Sequence, residues 1–154
     1  MPLTRRIIRE TVLSLLYAHY FNSENFLDFA KKELDQFDEQ YKNYGNKLLN
    51  KTLLHAKEYD ELINKKLEKW EIDRVPIIDR LILRMGLCEF MHFDEIPPKV
   101  TINEMIELAK EYSNSKSSKF VNGILDSVLS DLQSENKLKK SGRGLIEQSY
   151  EKNS

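Results

Sequence analysis

Between two proline breaks, Val75-Pro76 and Ile96-Pro97-Pro98, lies a segment that admits few folds. From Ile77 to Met91 ten of fifteen residues are apolar, and at about 100° per residue they surround a helix axis instead of forming one stripe. A helix apolar all round must be enclosed by other elements. It is too short to cross a bilayer, which takes about 20 residues, so its place is the centre of a water-soluble bundle. Proline suits a first helical turn and disfavours helix in the residue before it, so Val75-Pro76 marks the start and Ile96-Pro97-Pro98 the end.

The flanking segments carry one-sided stripes at helical spacing, and clean period-two alternation appears nowhere. A first helix, capped at Thr4, turns Ile8, Val12, Leu15, Leu16 and His19 inward. A second, capped at Asn22 or Ser23, does so with Phe26, Phe29, Ala30, Leu34 and Phe37. A third stripe runs from Tyr41 through Leu48, Leu49, Thr52 and Leu53 to Ala56, and Asp60 restarts a short helix bearing Ile63, Leu67 and Trp70. After the prolines, Thr101-Ile-Asn-Glu104 reads as a capping box ahead of Ile102, Met105, Ile106 and Ala109. Ser113 to Ser118 is a loop rich in capping residues. The last stripe is Phe120, Val121, Ile124, Leu125, Val128 and Leu132, within which Gly123 reads as a close helix–helix approach. The expected fold is all-α, a compact bundle of about seven helices in two packed lobes. One domain spans 1–132, with lobes at about 4–71 and 74–132, and a polar, flexible tail occupies 133–154.

Charge and cysteine content narrow the setting. Formal net charge is −1, which alone gives no reason to suspect nucleic acid. Its distribution is uneven: Arg5, Arg6 and Arg9 face only Glu10 in residues 1–21, whereas residues 22–73 carry twelve acidic and nine basic side chains. Lys99, Lys116, Lys119 and the tail lysines restore positive charge locally, which permits an anion site on a near-neutral chain. The single cysteine, Cys88, allows no internal disulfide and fits a reducing compartment. No apolar run spans a membrane, and Met-Pro-Leu-Thr-Arg-Arg has no leader-like apolar stretch, so the expectation is cytoplasmic.

Signals for chemistry are sparse. Glu89-x-x-His92 has the spacing of inward metal ligands on one helix, but di-metal bundles need a second copy and this sequence has none. His19 lies on an apolar stripe and reads as a core or boundary histidine, His55 has no suggestive neighbour, and Cys88 sits in the most apolar helix, where a thiol is inert. Neither a nucleophile elbow nor a glycine-rich phosphate loop is present. The expectation is therefore no enzyme, no cofactor and no metal. Binding remains. Arg5, Arg6 and Arg9 offer forked donors for phosphate, and Lys116 and Lys119 beside Phe120 suit single-stranded RNA. Read without context, the arginines are equally an ordinary solvated helix start, and Phe120, Tyr17 and Tyr20 have core or boundary readings at least as good.

Three motifs in order carry a resemblance: Asp79-Arg80-Leu-Ile-Leu-Arg-Met-Gly-Leu-Cys-Glu-Phe90, Ile96-Pro-Pro-Lys-Val-Thr-Ile-Asn-Glu-Met-Ile-Glu-Leu-Ala-Lys110, and Lys119-Phe-Val-Asn-Gly-Ile-Leu-Asp126. From Arg5 to about Leu132 the chain resembles the NusB family of bacterial transcription antitermination factors. The resemblance implies an N-terminal three-helix lobe on a C-terminal four-helix lobe. It also implies binding of the boxA element of ribosomal RNA leaders together with NusE, a small-subunit ribosomal protein, within an RNA polymerase antitermination complex. By resemblance, RNA contacts map onto Arg5, Arg6, Arg9, Lys116, Ser118, Lys119 and Phe120, and contacts to NusE onto Asp79 and Tyr17. The arginine cluster departs from the family pattern at Ile7 and Ile8. Two alternatives stay open: a helical protein-interaction module, including a homodimer that masks its RNA face, and an accessory domain acting with an rRNA-modifying methyltransferase.

Overall fold

The computed structural model describes residues 2–21, 24–67 and 72–145. Seven α-helices are present among them: α1 (Pro2–Phe21), α2 (Phe26–Asp35), α3 (Glu39–Leu54), α4 (Ala56–Asn64), α5 (Ile77–His92), α6 (Pro98–Tyr112) and α7 (Ser115–Ser134). Short 3-10 turns cover Ile72–Arg74 and Gly142–Leu145, and no strand occurs among the described residues. The all-α expectation is met. The Asn22 and Ser23 caps, Trp70 and the tail beyond Leu145 lie outside the described residues.

The chain divides into two compact units, Met1–Leu54 and His55–Ser154. In the first, α1, α2 and α3 pack on one another around Ile8, Val12, Leu34 and Leu48, all fully buried. Helix α1 runs from Pro2, so Thr4 lies inside it and caps nothing. Phe29, expected inward, is 45% exposed, because α2 is a short helix whose buried face is filled by Phe26, Ala30 and Leu34. Gly45 is the close approach here: a Cβ would lie 2.8 Å from Leu34 Cδ2 and 3.0 Å from Ile8 Cγ2.

In the second unit α5 is central, packing against α4, α6 and α7. Eleven of its sixteen residues are buried, including Leu81, Ile82, Leu83, Met85, Leu87, Cys88 and Phe90. Each such large apolar side chain contributes roughly 1.5–3 kcal/mol on removal from water. Its polar residues are tied laterally. Arg84 grips Asp60 of α4 with two bonds of 2.8 and 2.6 Å, and Glu89 accepts from Thr101 Oγ1 at 2.7 Å. That second bond corrects the capping-box reading. Pro98 already opens α6, its fixed φ matching the first turn, so Thr101 lies one turn inside the helix and its hydroxyl turns to α5.

Two further readings change. Helix α4 begins at Ala56, straight after a break at His55, and not at Asp60. Gly123 is exposed, and a Cβ placed on it would have nothing within 4 Å, so no helix approaches it. The close approach on this side is at Gly86, where a Cβ would meet Leu125 Cδ2 at 2.9 Å. Helix α7 closes with a Schellman turn on Asn136 (φ 56°), with Lys137 N donating to Leu132 O and Asn136 N to Gln133 O. The chain then returns to the end of α5. Lys140 Nζ donates to Glu89 O at 3.0 Å and Phe93 O at 2.7 Å, and Ser141 N to Asp94 O.

Candidate nucleic-acid interface

The second unit holds a cleft of about 820 Å³ between the start of α5 and the first turns of α7. Local sequence builds both walls. Pro76 halts the preceding chain in extended backbone (ψ 141°) and lets α5 begin with Asp79 in its first turn. Asn114, also extended, caps α7 by accepting from Ser117 N at 2.9 Å. The two starts are then tied together, for Ser117 Oγ donates to Asp79 Oδ2 at 2.7 Å. A hydroxyl has one proton, so the 2.8 Å contact between Ser113 Oγ and Ser117 Oγ has Ser113 as its donor.

This arrangement presents cations and a ring to solvent. Lys116 and Lys119 are exposed, Phe120 is half-buried, and all three line the cleft with Asp79, Gly123 and Lys66. Lys66 is held by an ion pair with Asp131. Ser118 differs from its neighbours. It is buried, and its hydroxyl donates to Ser115 O within the helix start, so it supports the loop without lining the cleft. Asp79 is only 3% exposed and sits at the floor. Any molecule that reaches it does so through the cleft.

In the first unit the three arginines do not share one environment. Arg6 is exposed, Arg5 is half-buried with its guanidinium 4.9 Å from the Tyr44 ring centre, and Arg9 is 2% exposed and 5.6 Å from the same ring. Tyr44 thus holds both Arg5 and Arg9 by cation–π contact, with Arg9 buried beneath it and Arg5 part-exposed. Tyr17 is 40% exposed and stacks obliquely on Phe21 at 4.7 Å; both line a hollow of about 460 Å³ with Phe26 and Phe29. His19, expected to face inward with the α1 stripe, is instead exposed at the last turn of the helix and meets the Phe26 ring edge-on.

The other titratable candidates are absorbed into packing. His92 stacks on His55 with ring centres 4.6 Å apart, Glu89 is bonded to Thr101, and Cys88 is buried. Among the described residues no three His, Cys, Asp or Glu side chains group as metal ligands, and no helix is long and apolar enough to cross a membrane. Of the residues singled out from sequence, Asp79, Lys116, Lys119 and Phe120 come together. The structure adds Ser117, Asn114, Lys66 and Gly123 to them. Of these four, Asn114 alone has a local signal, as a capping residue three positions before Ser117.

Comparison with known proteins settles the kinship of this scaffold. Residues 6–130 match the model of the NusB family. The chain belongs to the NusB family. The transcription antitermination protein NusB of Chloroherpeton thalassium is 40% identical over 150 residues, 96% of this chain and 71% of the relative. That of Salinibacter ruber is 42% identical over 147 residues, 93% of this chain and 91% of the relative. NusB of T. maritima superimposes with a TM-score of 0.76 at 34% identity, covering 82% of this chain and 90% of that one. Antitermination factor NusB, crystallised with NusE and dsRNA, superimposes with a TM-score of 0.75 at 28% identity, covering 85% and 99%. The match to the NusB family model ends at residue 130, ahead of the turn that returns Lys140 to α5.

Proposed function

We propose that this chain is an RNA-binding transcription antitermination factor that engages boxA of ribosomal RNA leader transcripts together with NusE and promotes read-through by RNA polymerase in the cytoplasm. It acts as an adaptor and supplies no catalytic group. The observation that carries the reading is the cleft at the start of α7, where Lys116, Lys119 and Phe120 place phosphate-binding cations beside an aromatic face on a NusB-family scaffold. NusB in the solved assembly with NusE and dsRNA shares this fold, which supports the pairing with NusE. Arg6 adds a phosphate contact from the first unit, Arg5 contributes through its exposed edge, and Arg9 holds the helix against Tyr44. The half-exposed Tyr17–Phe21 face offers apolar surface to the protein partner.

The test is fluorescence anisotropy with boxA-type RNA, single-stranded and as duplex, with and without NusE, across a salt series. About three to five single-strand phosphate contacts give a log–log slope of roughly −2 to −4, and Arg6→Ala, Lys116→Ala or Lys119→Ala each lowers its magnitude by about 0.7. Affinity indifferent to 200 mM added salt and to all three substitutions refutes the proposal.

A further inference from the structure

We infer that Tyr44 is a positioning residue for RNA binding, whose ring, held against α1 by the buried Arg9, presets the part-exposed Arg5 guanidinium to receive a phosphate. The inference rests on the RNA-binding reading above and deepens it, giving a role to a residue of α3 that none of the sequence motifs contains.

The geometry follows from where Ile8 sits on α1. At about 100° per residue, Arg5 and Arg9 lie about 60° and 100° from Ile8 on the same side, only about 40° apart, whereas Arg6 lies about 160° away. Ile8 is fully buried and faces Gly45 of α3, where a Cβ would come within 3.0 Å of Ile8 Cγ2. The residue before that close approach is Tyr44. Helix α3 therefore lays the Tyr44 ring against the arc that carries Arg5 and Arg9, with its centre 4.9 and 5.6 Å from their guanidinium carbons. Tyr44 is itself buried, so packing fixes the ring, and Arg6 on the far side stays in solvent. The interruption of the arginine run at Ile8 is what turns Arg5 and Arg9 onto the ring.

The energetic consequence lies in conformational freedom. A long side chain immobilised on binding costs about two- to tenfold in affinity. Folding has already imposed part of that restriction on Arg5, which is half-buried with its guanidinium seated at the ring. The ring does this without supplying a hydrogen-bond acceptor. It attracts the cation through its π cloud, and the guanidinium fork keeps N–H donors for phosphate oxygens. Arg9 is 2% exposed, too enclosed to grip an RNA phosphate, and serves to hold the ring against α1. A ring that enclosed Arg5 as fully would withhold it from RNA, but Arg5 remains part-exposed on the same ring.

The experiment is an anisotropy titration of the full chain with boxA-type RNA across a salt series. The variants are Tyr44→Leu, Tyr44→Phe, Arg5→Ala and the double substitution Tyr44→Leu with Arg5→Ala, each checked for folding by circular dichroism at the assay temperature. Tyr44→Leu is expected to weaken binding about two- to tenfold at an unchanged salt slope, since the phosphate contacts are as many but less ordered. Arg5→Ala lowers the magnitude of the slope by about 0.7, and in its background Tyr44→Leu causes no further loss. Tyr44→Phe, which keeps the ring, rescues the affinity that Tyr44→Leu loses. Should Tyr44→Leu fail to fold, pentafluorophenylalanine at position 44 is compared with Tyr44→Phe. It keeps the shape of the ring and removes its electron-rich face, and a loss of about twofold or more is expected. Tyr44→Leu binding as tightly as wild type or more tightly overturns the inference, since the ring would then be idle or withholding Arg5. So does an equal loss in the Arg5→Ala background, a Tyr44→Phe protein as weak as Tyr44→Leu, or a fluorinated protein that matches Tyr44→Phe. A slope reduced as far as in Arg5→Ala overturns it too, because the contact itself would be lost and not merely less ordered. Each of those results leaves salt-dependent RNA binding by the wild type in place. Absence of that binding altogether overturns the functional proposal and this inference with it.

Discussion

Replacing Ser117 with alanine tests whether the candidate site is held by the bond between α5 and α7. The substitution removes one 2.7 Å hydrogen bond to the buried Asp79 carboxylate, whose other oxygen has no partner among the described residues. A hydrogen bond to a charged group is worth about 1.5–3 kcal/mol, and the better helix propensity of alanine returns at most about 0.5 kcal/mol. The net loss is then about 1–2.5 kcal/mol if water enters from the cleft to serve the carboxylate. If Asp79 stays dry, stranding a buried charge raises the loss to about 3–5 kcal/mol. For a chain of 154 residues, 1 kcal/mol corresponds to about 2–4 °C, so the melting temperature falls by about 2–10 °C in the wet case. Thermal and urea unfolding followed by circular dichroism measure it. A double-mutant cycle with Asp79→Asn should show at least about 1 kcal/mol of coupling between the two positions. Ser113→Ala, which removes only the outer hydroxyl, costs no more than about 1 kcal/mol. A Ser117→Ala protein within about 0.5 kcal/mol of wild type, with no coupling in the cycle, would refute the account of how the cleft is built.

Other consequences follow from the same second unit. Thr101→Val deletes the buried 2.7 Å bond to Glu89 and destabilises by about 1.5–3 kcal/mol, read from urea midpoints; a neutral result would deny that bond a structural role. Gly123→Ala stabilises by up to about 1 kcal/mol, since the glycine is exposed in a helix interior and a methyl meets nothing; a loss of stability would show a hidden contact. Burial pushes the Lys140 ammonium down from 10.5 to about 8, against the pull of Glu89, Asp94 and Glu95. Between those values the unfolded chain holds the proton that the folded chain has released, so this group's contribution to stability is present above about pH 10.5 and is lost as pH falls toward 8. Stability measured across that window should rise more steeply in wild type than in Lys140→Met, and parallel curves would contradict the docking of Lys140 on α5.

Much of the fold is legible in the sequence because helical spacing is a local property. Periodicity marks Leu81, Ile82, Met85, Ile102, Met105, Ile106, Ile124 and Leu125 as core, and all are buried except Ile106, which is half-buried. Local signals mislead where two of them compete. Thr101-Ile-Asn-Glu104 has the composition of a capping box, but Pro98 satisfies the helix start three residues earlier, which frees the threonine for Glu89. At Gly123 an unbroken stripe suggests a neighbouring helix, yet glycine there faces open space and the close contact falls to Gly86. The arginine cluster is legible as composition and illegible as a surface. Arg6 and Arg9 differ by three positions, about 60° around the axis, and that turn carries Arg9 against Tyr44 while Arg6 stays in solvent.

By itself the sequence determined the class of fold, the order of its helices, the centrality of Ile77–Met91 and kinship with the NusB family, all of which follow from short-range periodicity and ordered motifs. Only the tertiary structure decided that Asp79 lies under Lys116, Lys119 and Phe120, and that Ser117, 38 residues away, holds it there. Periodicity tells which face of a helix turns inward. Which polar group it meets depends on how separate helices close on one another in space.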